Sequence, residues 1–221
     1  MDQKLLFLIN REWTSPALDK LMALASSAAF WGVPLGILVV WLVWKGGFRG
    51  RTFALLALLS FGFTDGVAGR FIKKSVARFR PHQTEVGVRQ LDLQSPAWKG
   101  VFMPVKEKLS TGSNSAAKGT GRSFPSNHSA NTAAVAVIAT LLFRFGWLAF
   151  LPALIVSYSR IYTGAHWPTD VLAGICTGSA AALIVAFAAE ALWRNYGERI
   201  APRASASHPS LLSVEMNTAA T

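Results

Sequence analysis

"VLAGICTGSAAALIVAFAAEALW", residues 171–193, carries Glu190 as its only charged group. An α-helix needs about 20 consecutive apolar residues to cross roughly 30 Å of hydrocarbon, so this stretch reads as a membrane span and decides the class of fold. Working back along the chain, "ALASSAAFWGVPLGILVVWLVW" (23–44) is a second span and "TFALLALLSFGFTDGVAG" (52–69), which carries Asp65, a third. "ANTAAVAVIATLLF" (130–143) and "WLAFLPALIVSY" (147–158) are shorter, with Arg144 and the breaker Gly146 between them. Merged into one helix they would exceed a bilayer, so they count as two. The expected fold is an all-α polytopic membrane helix bundle of about five transmembrane helices.

The bulk numbers agree. The chain has 221 residues, 52% of them hydrophobic, with a formal net charge of +11. That is long enough for one domain and too apolar for an ordinary soluble one. In a soluble protein the positive charge would suggest nucleic acid. Here zinc-finger spacing is absent and no run of five or more Lys/Arg occurs, so anionic lipid or phosphate is the expected partner. The single Cys176 lies inside an apolar run and excludes an intramolecular disulfide. Residues 1–22 mix apolar clusters with Arg11, Glu12, Asp19 and Lys20, as expected of a helix lying in the membrane interface. Their apolar core is too short for a signal peptide. Residues 1–193 thus read as one membrane domain with a long loop at 73–125, and residues 194–221 as a polar, disordered cytoplasmic tail.

Counting crossings puts the end of the 52–69 span, the start of the 130–143 span and the junction between the last two spans on one side of the membrane. The other side receives Lys45, Arg49, Arg51, Arg144, Arg194, Arg199 and Arg203 in short connections, which marks it as cytoplasmic. The loop 73–125 is itself rich in Lys and Arg and argues the other way. A loop of that length sits near the limit of the rule, and the expected orientation keeps the loop side extracytoplasmic.

Three polar clusters fall on that side. In "KKSVARFRP", Lys73, Lys74, Arg78 and Arg80 follow a span; alone, they also suit a basic patch held by lipid headgroups. In "GRSFPSNHS", Pro125, Ser126 and Asn127 suit a helix start, whose unpaired N–H groups attract anions, with His128 in the first turn. An ordinary cap with an incidental histidine fits equally there. In "SRIYTGAHWPTD", Pro168 suits the first position of the last helix. That places Asp170 in its first turn, able to reach back to one nitrogen of His166, fix its tautomer and leave the other nitrogen as a nucleophile. The plain structural alternative is an Arg160–Asp170 ion pair with Trp167 as an interface anchor. Together, cations, two imidazoles, a carboxylate and a helix start on one membrane face suit phosphoryl transfer. Cations and N–H groups would hold phosphate oxygens, one imidazole would attack phosphorus and the other would protonate the leaving oxygen.

Lys73 with Arg80-Pro81, then Pro125-Ser126-Asn127-His128, then Ser159-Arg160 with His166 and Asp170, resemble the three-part signature of the type 2 phosphatidic acid phosphatase family. That family includes lipid phosphate phosphatases and undecaprenyl-diphosphate phosphatases and shares its site with vanadium haloperoxidases. The resemblance implies that His166 is the nucleophile, forming a phosphohistidine, that Asp170 orients it, and that His128 is general acid and then general base. It implies phosphate binding by Lys73, Arg80, Ser126, Asn127 and Arg160, with Asn127 standing where the family usually has Gly. It implies no metal and no cofactor.

The expected activity is hydrolysis of a terminal phosphate from a lipid phosphate or diphosphate in the cell membrane, with undecaprenyl diphosphate first. The alternatives are a lipid phosphotransferase using the same site and a non-catalytic protein that binds anionic lipid. Among weaker features, "STGSNSAAKGTGR" (110–122) reads as a flap over the site or as plain loop, with Lys118 and Arg122 as surface charges. Asp65 is expected to pair with Lys73, Arg70 or a polar group on another span.

Overall fold

The computed structural model describes residues 1–95, 98–112 and 122–212, and of residues 67–70 the backbone alone. Helix α1 (Asp2–Phe7) passes through a π-helical turn (Leu8–Glu12) to α2 (Pro16–Ser26). Ser15 caps α2, accepting from Leu18 N–H, and Pro16 supplies the preset φ of a first turn. The chain restarts at Ser27, whose hydroxyl caps α3 (Ala28–Lys45) by accepting from Phe30 N–H. The first span therefore begins at residue 28, and residues 23–26 belong to the preceding helix.

No residue of α3 is buried: Ile37, Val40, Trp41 and Trp44 all stand more than half exposed. A helix apolar all round and unburied is stable only with hydrocarbon as its solvent. Both α3 and the helix Pro168–Ile200 are long and apolar enough to cross a membrane on their own.

A turn through Gly47, at φ +61°, leads into α4 (Gly47–Thr64), which continues as a π-helical stretch (Asp65–Ile72) and α5 (Lys73–Val76). Ala77 then adopts a left-handed φ of 44° and turns the chain back over the helix end. After α6 (Pro81–Thr84) comes an element with no counterpart in the expected bundle: an antiparallel hairpin of β1 (Val86–Leu93) and β2 (Val105–Thr111) enclosing α7 (Lys99–Phe102). Arg89 faces Leu109 and Leu91 faces Glu107, with a bulge between Val86 and Arg89. Val88 and Leu91 bury against Leu6, Ile9 and Met22 from the amino-terminal helices and Tyr162 and Trp167 from the far end of the chain. The fully buried Asn10 sews this layer together, donating to the carbonyls of Arg89 and Tyr162 and accepting from Arg89 N–H.

The rest is a helix bundle. α8 (Asn127–Leu142) is its centre, burying Ala130, Ala133, Ala134, Ile138 and Leu142. A 3₁₀ turn (Gly146–Ala149) separates it from α9 (Phe150–Tyr162), so the two short apolar runs are separate helices. A Cβ on Gly146 would come within 1.8 Å of the Ala139 carbonyl oxygen, which fixes the breaker. α10 (Pro168–Ile200) lies against α8 through Gly174 and Gly178, where a Cβ would meet the carbonyls of Ser126 and Ala130 at 2.5 and 1.9 Å. Small residues one turn apart let membrane helices pack backbone to backbone.

The tail differs from expectation. α10 extends to Ile200, α11 (Pro202–Ser207) follows, and Glu190 accepts hydrogen bonds from Ser210 Oγ and Leu211 N–H, both at 2.7 Å. A carboxylate near the end of the span, also paired with Arg194, gives the polar segment something to fold onto. Residues 213–221, and the part of the expected flap at 113–121 with Lys118, lie outside the described residues.

Candidate active site

The three clusters meet where the start of α8, the α9–α10 connection and the segment after α5 converge. His166 sits in that connection, 3% exposed, with its backbone N–H donating to the Arg160 carbonyl at 3.0 Å. Its Nδ1 lies 2.8 Å from the Ser123 carbonyl oxygen and 3.7 Å from Asp170 Oδ2. A carbonyl can only accept, so Nδ1 carries the proton and Nε2 keeps its lone pair. The direct hydrogen bond expected from His166 to Asp170 is replaced by this one. At 3.7 Å the carboxylate is a charge partner, beyond hydrogen-bond range. Burial holds the His166 imidazole down to about 4; Arg160 and Arg80 push the same way and Asp170 opposes. At neutral pH the ring is therefore uncharged and able to attack.

Asp170, fully buried, is saturated. Oδ2 accepts from Trp167 N–H at 3.0 Å and makes a short contact with Ser123 Oγ, and Oδ1 accepts from Arg78 Nη1 at 2.8 Å. Arg78, a cation of the first cluster, is held by two carboxylates, Asp170 and Asp2.

His128 lies in the first turn of α8, and Arg160, His166, Arg80 and Lys73 all act on it electrostatically. Lys73 is depressed below an ordinary ammonium by burial first and by Arg80 next, with Asp65 opposing. Arg160 is anchored through Nη1 to the Ser26 carbonyl at 3.2 Å and to the Ser26 hydroxyl, while its buried Nε has no partner among the described residues. Ser126 caps α8: its Oγ accepts from Ser129 Oγ at 3.0 Å, which leaves its own proton to donate, and its N–H donates to the Asp170 carbonyl at 3.0 Å. Lys73, Arg80 and Arg160 thus all act on His128 at a helix start, and Arg80 and Arg160 on His166 as well, a concentration of positive charge that suits an anion.

Asn127 does something else. Its Nδ2 donates to Asp65 Oδ1 at 2.8 Å, so the partner of Asp65 is a polar side chain of another span. Arg122 lies near enough to Lys73 to act on its charge. A polar cavity of about 210 Å³ opens on the hairpin side, lined by Arg80, Arg160, His82, Gln90 and Asp92. Among the described residues no three carboxylate, imidazole or thiol groups are placed so that they could hold a metal ion.

Reading the sequence alone missed Ser123, although it lies inside "GRSFPSNHS"; its contribution is a backbone carbonyl, which no side-chain pattern reveals. It also missed Asp2 and Ser26, whose partners lie 76 and 134 positions away. The only prior signal at Arg78 was its charge.

The bundle and its polar face define a polytopic membrane protein with a basic, imidazole-bearing cluster built from three distant segments. The chain belongs to the PAP2 superfamily, whose family model matches residues 52–194. It is 28% identical over 170 residues to the lipid A 4'-phosphatase of Bacteroides thetaiotaomicron, covering 74% of this chain and 66% of that one. It is 44% identical over 64 residues to the undecaprenyl-diphosphatase of Sulfolobus acidocaldarius, covering 28% of this chain and 31% of that one. The chain therefore spans under two thirds of the length of these relatives. In fold it is similar to the crystal structure of the first transmembrane PAP2 type phosphatidylglycerolphosphate phosphatase from Bacillus subtilis. There the TM-score is 0.53 at 24% identity, over 90% of this chain and 87% of that one.

Proposed function

We propose that the protein is an integral-membrane lipid phosphatase that hydrolyses a terminal phosphate through a phosphohistidine on His166. The observation that carries this reading is the His166 Nδ1–Ser123 carbonyl hydrogen bond, which frees Nε2 on a ring that Arg160 and Arg80 act on, in a cluster where they and Lys73 also act on His128. Nε2 attacks phosphorus and the imidazole takes up positive charge, which Asp170 stabilises. The three cations, Ser126 Oγ and the α8 N–H groups neutralise the equatorial oxygens. His128 protonates the leaving oxygen, then takes a proton from water as that water attacks the phosphohistidine and releases inorganic phosphate.

The first-choice substrate is undecaprenyl diphosphate, in line with the relative from Sulfolobus. A phosphate of lipid A is the second, because the longer of the two matches is to a lipid A 4'-phosphatase. The active site faces the extracytoplasmic side, since Lys45, Arg49, Arg144 and Arg194 gather at the other ends of the spans. Phosphate release by purified protein in chelator, measured across lipid diphosphates, lipid A phosphates and phosphatidic acid, tests this. Release from at least one class, abolished in His166→Ala, is expected. No release from any class, or transfer of phosphate to an acceptor lipid without free phosphate, contradicts it.

A further inference from the structure

Arg78 is gripped from both sides. Nη2 meets Asp2 Oδ2 at 2.5 Å and Nη1 meets Asp170 Oδ1 at 2.8 Å, while the guanidinium lies 4.9 Å from the centroid of the Trp167 ring. Asp2 is fixed in turn by the start of α10: Oδ1 accepts from Thr169 N–H at 3.0 Å and Oδ2 from Thr169 Oγ1 at 2.7 Å. The backbone of Arg78 reaches the same histidine by a second path. Its carbonyl accepts from Ser123 N–H at 2.9 Å, and the Ser123 carbonyl accepts from His166 Nδ1. Both groups that face Nδ1, the carbonyl and the carboxylate, are thus held by Arg78.

We propose that Asp2 is a positioning residue of the catalytic site: by sharing Arg78 it keeps that guanidinium from neutralising Asp170 and keeps the Ser123 carbonyl aimed at His166. The charge count gives the reason. Asp2, Arg78 and Asp170 together carry one negative charge beside a ring that becomes positive as Nε2 bonds to phosphorus. Without the charge of Asp2 the remaining pair is neutral, and the developing imidazolium loses its counter-charge in a low-dielectric setting. None of this involves binding the phosphate, so the interaction acts in the transition state alone.

The inference rests on the nucleophilic reading of His166, and a control separates the two. Asp2→Asn keeps one acceptor oxygen and removes the charge together with the second acceptor. Its kcat is expected to fall about tenfold, with KM and inhibition by inorganic phosphate changed less than twofold. Asp2→Glu should regain at least half of the wild-type kcat. In an Arg78→Gln background, Asp2→Asn should add less than a twofold further loss, a comparison that holds even where single variants lower the unfolding temperature in detergent. Three results would overturn the proposal: an unchanged kcat in Asp2→Asn, a loss carried equally by phosphate affinity, or additive losses in the double variant. If His166→Ala still releases phosphate, the nucleophile assignment fails first; if it is inactive while Asp2→Asn matches wild type, only the role of Asp2 fails.

Discussion

His166 gives its Nδ1 proton to the Ser123 backbone carbonyl, 2.8 Å away, while Asp170 stands off at 3.7 Å. In a hydrolase triad the carboxylate both holds the tautomer and stabilises the imidazolium, and converting it to an amide costs about 10⁴ in kcat because the tautomer is lost. In the mechanism proposed here the two tasks belong to different groups.

Asp170→Asn is therefore expected to lower kcat by about 10- to 100-fold, since the carbonyl still selects the Nδ1–H tautomer while the charge and one accepting oxygen are lost. Steady-state kinetics on purified protein measures this. A loss of about 10⁴ would show that Asp170 sets the tautomer after all.

Asn127 ties α8 to Asp65, and Asp65 also acts on Lys73. Asn127→Gly restores the residue usual in the family but frees Asp65 to pair fully with Lys73. KM should rise about three- to tenfold with a smaller change in kcat, as expected when a ground-state phosphate contact weakens. An unchanged KM would mean that Asn127 is only a tolerated substitute.

Gly178→Ala places a methyl 1.9 Å from the Ala130 carbonyl oxygen, a backbone atom that cannot swing aside. The α8–α10 contact has to open, at a cost of about 1–3 kcal/mol. A thermal-unfolding midpoint in detergent several degrees lower is expected, together with lost activity, because the same contact sets Ser126 against Asp170. A midpoint equal to wild type would contradict the packing described.

The pH dependence of stability follows from His166. Its folded-state value of about 4 lies below the ordinary 6.5, so below 6.5 the unfolded chain binds a proton that the folded ring refuses. Stability contributed by the neutral ring is full above 6.5 and is lost as pH falls toward 4, on the order of 3 kcal/mol at 1.36 kcal/mol per unit. His166→Gln removes the titration, so its unfolding midpoint should vary less between pH 7 and pH 4.5 than that of wild type. Parallel curves would show that His166 is not held neutral.

Much of this was legible beforehand where the signal is local. The long apolar runs placed the spans, Gly146 separated α8 from α9, and Pro168 marked the start of α10. The three clusters met as the parity of crossings requires, which only a fixed bundle topology can enforce. What escaped was non-local. The hairpin β1–β2 is charged along its length, and its strands are stabilised by Asn10 and the amino-terminal helices, far off in sequence. The GxxxG step at Gly174 and Gly178 lay in plain view inside the opening stretch. Its use, bringing Ser126 to Asp170, needed the partner helix to be known.

The most direct test of the central claim is covalent. Purified protein is mixed with a lipid phosphate labelled in its terminal phosphoryl group, quenched within one turnover under conditions that preserve phosphohistidine, and digested. The label should appear on the peptide containing His166 and be absent in His166→Ala, which should also release no phosphate. Phosphate release that persists in His166→Ala, or label found on His128, would contradict the account.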